Sequence, residues 1–495
     1  MTSSRRPFLI IVALAATLAG YPATARDWQR TLIDDATAFH AEQAANHPGP
    51  FNPRDPGFTK SLDAALAAAL ARAATVTTPG GYMFAMREMV ASFNDGHMYI
   101  GFNDKLDVPG AWPGFIAAYA DGAFTVRHAA PGVVAPGVAT PAIGDRILGC
   151  DGRSPDALLA ELVAPWRGGW SLVANRERQG WRAFHDYGNP WVKRPVTCRF
   201  ATGARTRDIT LTWRPQPADF LALVTAANAS ARAPIALRSI PGGRWISAGS
   251  FHAGDGTPEE KSLPALIASL ADQQTAARAA PVLVLDLRGN SGGSSDWGAQ
   301  MARLLWGNAA VDRIGAARDT LINVDWRATP DNLAAINEFC GPMIAKTQGA
   351  SAEAVAWCRA SVSGLTAAIA AKTPLWREPV TLPAPQTATA ASFRPRTKPT
   401  YLLTDSACGS ACLDTVDLWT ALGAIPVGRT TNADSDYMEV RSKALPSGLG
   451  EFSVPMKVYS GRPRGSGVAV EPVHRFTGDM ADTAALEAWI LALPQ

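Results

Sequence analysis

Two stretches share one pattern, and that pattern constrains the fold more than any other feature of the chain. PVLVLDL (281–287) and TYLLT (400–404) are continuous apolar runs with no polar alternation. Runs of this kind read as strands buried on both faces, as in parallel sheets covered by helices. Each ends in small residues, RGNSGGSSD after the first and DSACGSAC after the second. A helical pattern follows each turn, from about Asp296 and from Ala411, the latter ending at Gly423. AIPVG (424–428) is a further strand, and RWISAGSF (244–251) an earlier one, followed by a helical segment over 260–279. Residues 216–495 therefore read as an α/β core. Within it, about 308–395 breaks the rhythm: Thr329-Pro330 starts one helix by the N-cap and N1 preferences, and Ser351 starts another. This segment reads as a mostly helical insertion.

Two regions precede the core. In residues 26–105, Leu32, Ala36 and Phe39 fall at i, i+4 and i+7 on one helix face. SLDAALAAALARAA (61–74) is helix-forming throughout. A third helix carries Met83, Phe84, Met86, Met89 and Val90, and stops at the turn Asn94-Asp95-Gly96. His97 and a short strand, MYIGF, come next. Residues 106–215 are rich in Gly, Pro and Val, and their short β runs, with Gly144-Asp145 and the Asp151-Gly152 turn, suggest a small β domain.

The N-terminus reads as a secretory signal over residues 1–25. Arg5 and Arg6 precede an apolar run, Phe8 to Ala19, and Ala23-Thr24-Ala25 is a small-x-small cleavage pattern. An uncleaved anchor is the alternative. No later stretch approaches the roughly 18 apolar residues of a membrane span, so the mature chain is expected to be exported, periplasmic or secreted, with no stable span. Net charge is +3, and +1 after loss of Arg5 and Arg6, which gives no support to a nucleic-acid partner. Six cysteines are an even set suited to an oxidising compartment. Local separation favours Cys340–Cys358 and Cys408–Cys412, leaving Cys150–Cys198. There is no CxxC pair or histidine cluster to suggest a metal site, and no cofactor is implied.

The turn after TYLLT carries the chemistry. A serine where a strand becomes a helix is lifted out of the sheet edge, at the positive end of the helix dipole. Ser410 stands there among Ala407, Gly409 and Ala411, small enough to let a substrate backbone approach. The Ala411 N–H and the glycine turn Gly292-Gly293 are candidate donors for a developing oxyanion. A serine at such a position can also be only a helix cap.

DLRGNSGGS, then DSACGSAC before a helix, then PVG, with a small β domain upstream, together resemble the tail-specific (C-terminal processing) serine peptidase family. The resemblance covers most of residues 75–490, including the closing segment VAVEPVHRFTGDMADTAALEAWI. It implies an α/β fold: a Clp protease/crotonase-like core of ββα units, with an N-terminal helical domain, a PDZ-like β domain and the helical insertion. Ser410 takes the place of the family nucleophile, with Ser406 the alternative. The Ser–Lys branch places a lysine after the next strand, but GRTTNADSDYMEV (428–440) has none before Lys443. NDGHMYIGF instead resembles the histidine-using, tricorn-like branch, which makes His97 the general base; histidine titrates near neutrality. His474 is a second choice. In that branch a downstream glutamate orients the histidine, here Glu471 or, next, Glu439. Asp286 and Arg288 match the strand-end motif and are expected to pin the turn. In the PDZ-like segment, Ala111-Trp112-Pro113-Gly114-Phe115 stands where a carboxylate-binding loop would be, but Pro113 removes one donor. The implied partner is a peptide or protein substrate; no oligomeric state is implied. A catalytically inactive peptide binder and an esterase or amidase with the same nucleophile are the alternative functions.

Overall fold

The computed structural model describes residues 26–130, 140–228, 232, 234–254, 256–345, 352–379 and 395–494. The signal segment, part of the Gly/Pro-rich run before Asp145 and the end of the insertion lie outside these.

Three helices open the described chain: α1 (Trp28–Asn46), α2 (Phe58–Ala73) and α3 (Pro79–Ala91). Leu32, Ala36 and Phe39 are fully buried, as their spacing requires. Thr78 caps α3 by accepting the Gly81 N–H at 3.1 Å, with Pro79 at the first helical position, where its missing N–H costs nothing. A short strand, β1 (Ile100–Phe102), follows.

The β domain is an antiparallel sheet in sequential order: β2 (Phe115–Ala120), β3 (Ala123–Ala129), β4 (Arg146–Cys150), β5 (Thr197–Thr202) and β6 (Arg205–Thr210). Cys150 lies opposite Cys198 in register, and the two are disulfide-bonded. Ala111 and Asp186 exchange backbone hydrogen bonds at 2.7 and 2.9 Å. The Ala111 N–H is therefore committed, and with Pro113 beside it this stretch has little left to offer a carboxylate.

The core contains β7 (Ala236–Ile240), β8 (Gly243–Ser247), β9 (Val282–Asp286), α4 (Asp296–Trp306), β10 (Asn323–Arg327), α5 (Pro330–Ile344), α6 (Ala352–Ala370), β11 (Leu375–Arg377), β12 (Thr400–Thr404), α7 (Ala411–Ala421), β13 (Ile425–Gly428), β14 (Tyr437–Ala444), β15 (Gly450–Ser460), β16 (His474–Arg475) and α8 (Thr483–Leu491). Six of its strands form one sheet ordered β16-β13-β12-β9-β8-β7, parallel except for β7. The unbroken apolar character of β9 has a direct cause. Leu283 and Leu285 face Met301 and Leu305 of α4, while Val282 and Val284 face Leu486 and Ile490 of α8. The fold is thus α/β with several packed units.

The insertion carries the expected helices, with Cys340 on α5 bonded to Cys358 on α6. It is not only helical: β10 and β11 pair with each other, and β10 pairs with β15. β15 is 11 residues long. Along one edge it takes β14; along the other it takes β1 near its start and β10 near its end. Unsatisfied strand edges favour such recruitment. One strand therefore ties the N-terminal helices, the insertion and the core together, and Phe452 and Val454 complete the helical core around Phe39 and Met86. No helix among the described residues is long and apolar enough to cross a membrane.

Candidate active site

The turns after β9 and β12 lie side by side at the C-terminal ends of adjacent parallel strands, where ligands gather in α/β sheets. Buried charges fix the first turn. Arg288 and Asp286 are fully enclosed and paired through two contacts of 2.6 and 2.8 Å. Arg288 also donates to the Met480 carbonyl at 2.6 Å and to Thr483 Oγ1 at 3.1 Å. This pair locks the turn to the start of α8, the structural role expected of it. Asp405 joins the turns: its carboxylate accepts the N–H of Ala407 in its own turn and of Gly289 in the neighbouring one, both at 2.9 Å.

Ser410 occupies the N-cap position of α7, but its side chain makes no capping hydrogen bond. Its backbone sits at φ 53° and ψ −129°, a conformation that favours glycine and costs a side-chain-bearing residue about 1–3 kcal/mol. Three restraints impose it. The Ser410 N–H donates to Asp434 Oδ1 at 2.8 Å. The Cys408–Cys412 disulfide brackets the turn, with Cα atoms 5.3 Å apart. Gly292 packs against it so closely that a Cβ there would lie 2.7 Å from Ser410 Cβ. The result is a serine on a strained strand-to-helix turn, an arrangement that exposes nucleophiles in α/β-hydrolases. Ser406 lies four residues earlier, before the strained position.

Of the candidate oxyanion donors, Ala411 is the first residue of α7, so its N–H has no intrahelical acceptor. Gly293 forms a β-bridge with Phe251 whose two bonds involve the atoms on either side of it, Phe251 N–H to Gly292 O and Ser294 N–H to Phe251 O, both at 3.0 Å. Its own N–H has no acceptor among the described residues. The Gly292 N–H, in contrast, donates to Asn290 Oδ1 at 2.9 Å. Gly292 contributes space beside Ser410, and the donors left are Ala411 and Gly293.

His97 is anchored at both ends of its peptide unit. Its N–H donates to Asp95 Oδ1 at 2.8 Å, and its carbonyl accepts the Ser453 hydroxyl at 2.6 Å. Its Nδ1 lies 3.8 Å from Asp95 Oδ1 and is buried without a hydrogen-bond partner. Burial pushes the Asp95 carboxyl up, against the pull of His97 and of the hydrogen bonds it accepts; nearby Asp434 pushes the same way as burial. The Ser435 hydroxyl donates to Asp95 Oδ1 at 2.8 Å. Since Asp434 holds Ser410 and Ser435 holds Asp95, two consecutive residues join the serine turn to the Asp95-Gly96-His97 turn. Among the described residues no hydrogen bond links Ser410 Oγ directly to His97.

The other candidates lie elsewhere. Glu471 Oε2 accepts the Thr430 hydroxyl at 2.6 Å. Glu439 pairs with Lys457 at 3.1 Å, and Lys443 with Glu42 at 3.3 Å. His474 belongs to β16, in register with Val427. Asp434 and Ser435 are the residues that sequence reasoning missed; they sit in a polar loop that bears no motif. A cavity of about 170 Å³ opens beside them, walled in part by Asp95, Gly96, Asp434 and Ser435.

At the level of sequence no family model matches the chain, and neither does any curated protein. Solved structures do match. Mature CPAF complexed with lactacystin aligns with 14% identity over 90% of this chain and 94% of its own, at a TM-score of 0.61. Mature CPAF alone aligns with 14% identity over 90% and 93%, at 0.59. A photosystem II D1 C-terminal processing protease also aligns, with 13% identity over 91% and 94%, at a TM-score of 0.33 that carries no argument. Through nine-tenths of its length the chain therefore shares the fold of mature CPAF.

Proposed function

We propose that the chain is an exported serine endopeptidase that hydrolyses peptide bonds through an acyl-enzyme on Ser410. His97 takes the proton from Ser410 Oγ as the oxygen attacks the scissile carbonyl carbon. The N–H groups of Ala411 and Gly293 hold the oxyanion that forms. His97 then gives the proton to the leaving amine as the C–N bond breaks. Water enters, loses a proton to His97 and attacks the ester; His97 returns that proton to Ser410 Oγ as the ester C–O bond breaks, freeing the acid and Ser410. The observation that carries this reading is the joining of the strained Ser410 turn to the His97 turn through Asp434 and Ser435. The gap between Ser410 Oγ and His97 is compatible with it, because catalytic hydrogen bonds often tighten only with substrate bound.

The reading follows the histidine-using, tricorn-like branch, since Lys443 is engaged with Glu42. For the group that positions the imidazole, the geometry favours Asp95, the carboxylate that faces it; Glu471 is the choice that the family resemblance implies. Three disulfides support an oxidising compartment. The sheet over residues 106–215 is assigned as the PDZ-like domain, placing substrate rather than capturing its end through residues 111–115. The test is digestion of an unstructured protein and of peptides by the purified chain. Cleavage by the wild type and none by Ser410→Ala supports the reading. No cleavage of peptides alongside turnover of simple esters would move it to the esterase alternative.

A further inference from the structure

Two arginines, Arg87 and Arg167, line the cavity beside the site with a third, Arg182, close to them, and none of the three has a carboxylate partner among the described residues. Arg87 lies on α3, Arg167 just after a short 3-10 helix (Ala164–Trp166), and Arg182 within another (Gly180–Phe184). The Arg167 loop is tied to the catalytic turn, because the Gly169 N–H donates to Asn94 Oδ1 at 2.8 Å. Arg87 Nε and Nη1 are buried with no hydrogen-bond partner. Its guanidinium packs over the Phe84 and Phe102 rings, 5.7 Å from each centroid. Arg182 stacks on Trp181 at 4.3 Å and donates only to Gln179, at 2.7 Å. Burial pushes all three guanidiniums down, Arg87 to about 10 and Arg182 to about 9. For Arg182 the charge of Arg87 adds to this, and for Arg167, which faces both of the others, the fall is large. Buried charges are normally paired; among the described residues Arg87 has aromatic faces and Arg182 an aromatic face and an amide, with no anion beside either.

Arg87 and Arg167 line the same cavity as Asp95 and Asp434. The cavity is therefore lined both by the carboxylates that hold the Ser410 and His97 turns and by two guanidiniums. A peptide lying through it would present an anion to those guanidiniums. The anion that every peptide can carry is a carboxylate, and the planar guanidinium fork matches it in two parallel hydrogen bonds.

We propose that Arg87 and Arg167, backed by Arg182, bind a carboxylate of the peptide substrate and so fix which bond reaches Ser410. This rests on the peptidase reading above. The carboxylate is either the substrate's C-terminus or an Asp or Glu side chain, and one experiment separates the two. Full-length Ser410→Ala protein removes turnover, and fluorescence anisotropy then reads binding of one labelled peptide in three forms: free C-terminal acid, C-terminal amide, and amide with an added internal Asp. At low salt, one or both carboxylate forms are expected to bind at least about tenfold tighter than the neutral amide. Adding Arg167→Gln should erase that difference and leave the affinity for the neutral amide within about twofold. Arg87→Gln serves as the second variant. Equal affinity for all three forms, no binding of any, or a preference that survives both substitutions overturns the proposal. The unsubstituted pocket is decisive even if a variant fails to fold. Fluorophosphonate labelling of Ser410 in the wild type keeps the two claims apart: absence of labelling strikes the peptidase reading, whatever the peptides show.

Discussion

Asp434 accepts the backbone N–H of Ser410 at 2.8 Å. The bond helps hold a backbone conformation, φ 53°, that serine resists. Asp434→Ala should leave the protein folded while lowering kcat about 10–100-fold, the cost of misplacing a reacting group by about an ångström. Asp434→Asn keeps an acceptor oxygen and should cost less. Steady-state kinetics beside circular dichroism checks this; a fully active Asp434→Ala protein would show that the bond is incidental.

Strain at Ser410 has its own signature. Glycine takes φ 53° readily and alanine does not. Ser410→Gly and Ser410→Ala should both be inactive, but the glycine variant should be the more stable, by roughly 1 kcal/mol. Thermal unfolding of the two variants reads the difference. Equal stabilities, or a more stable alanine variant, would remove strain from the account.

Two carboxylates compete for the role of positioning His97. Asp95→Asn keeps the Asx turn but removes the charge facing the imidazole, and it should lower kcat more than KM. Glu471→Gln loosens a contact with Thr430 and is expected to have the smaller effect. A loss about 10-fold or more greater in Glu471→Gln would reassign the role, and the pH profile of kcat would show which variant alters the histidine.

Glu177 supplies a pH dependence of stability at the junction of the β domain and the core. There Asp121 takes Arg429 at 2.7 Å and also accepts from Arg475. Burial pushes the Glu177 carboxyl from 4.5 to about 7, outweighing the pull of Arg429 and Arg475. A carboxyl raised in the folded state adds stability that is complete below its ordinary value and is lost as pH rises through the raised one. Glu177→Gln should therefore match the wild type near pH 4 and exceed it in melting temperature at pH 8. An advantage that is the same at both pH values, or largest at pH 4, contradicts this assignment.

The parts legible in the sequence were those with local signals. The apolar runs at 281–287 and 400–404 announced a parallel sheet because both faces of each strand are covered. The spacing of Leu32, Ala36 and Phe39 announced a helix, and Cys340–Cys358 and Cys408–Cys412 formed as their separations suggested, with Cys150–Cys198 the remaining pair. What stayed hidden depends on distant contacts. Nothing local in β15 shows that it will pair with β1 and β10, since strand pairing partners are chosen by burial and available edges. That is why residues 308–395 read as a mostly helical insertion with no strand assigned. Asp434 and Ser435 belong to a loop without a motif, and no local signal shows that Asn290 takes the Gly292 N–H, which the sequence offers as an oxyanion donor. Arg87, Arg167 and Arg182 are scattered along almost a hundred residues and meet only in the fold.

The central claim is that Ser410 is the nucleophile and His97 the base that activates it. Fluorophosphonate labelling of the purified protein, with the modified residue mapped by mass spectrometry and the rate measured in wild type, His97→Ala and Lys443→Ala, tests both halves at once. The expected result is a single adduct on Ser410, formed about 10²–10⁴-fold more slowly in His97→Ala and at the wild-type rate in Lys443→Ala. An adduct on Ser406 or elsewhere, or a folded His97→Ala protein that labels as fast as wild type, would contradict it.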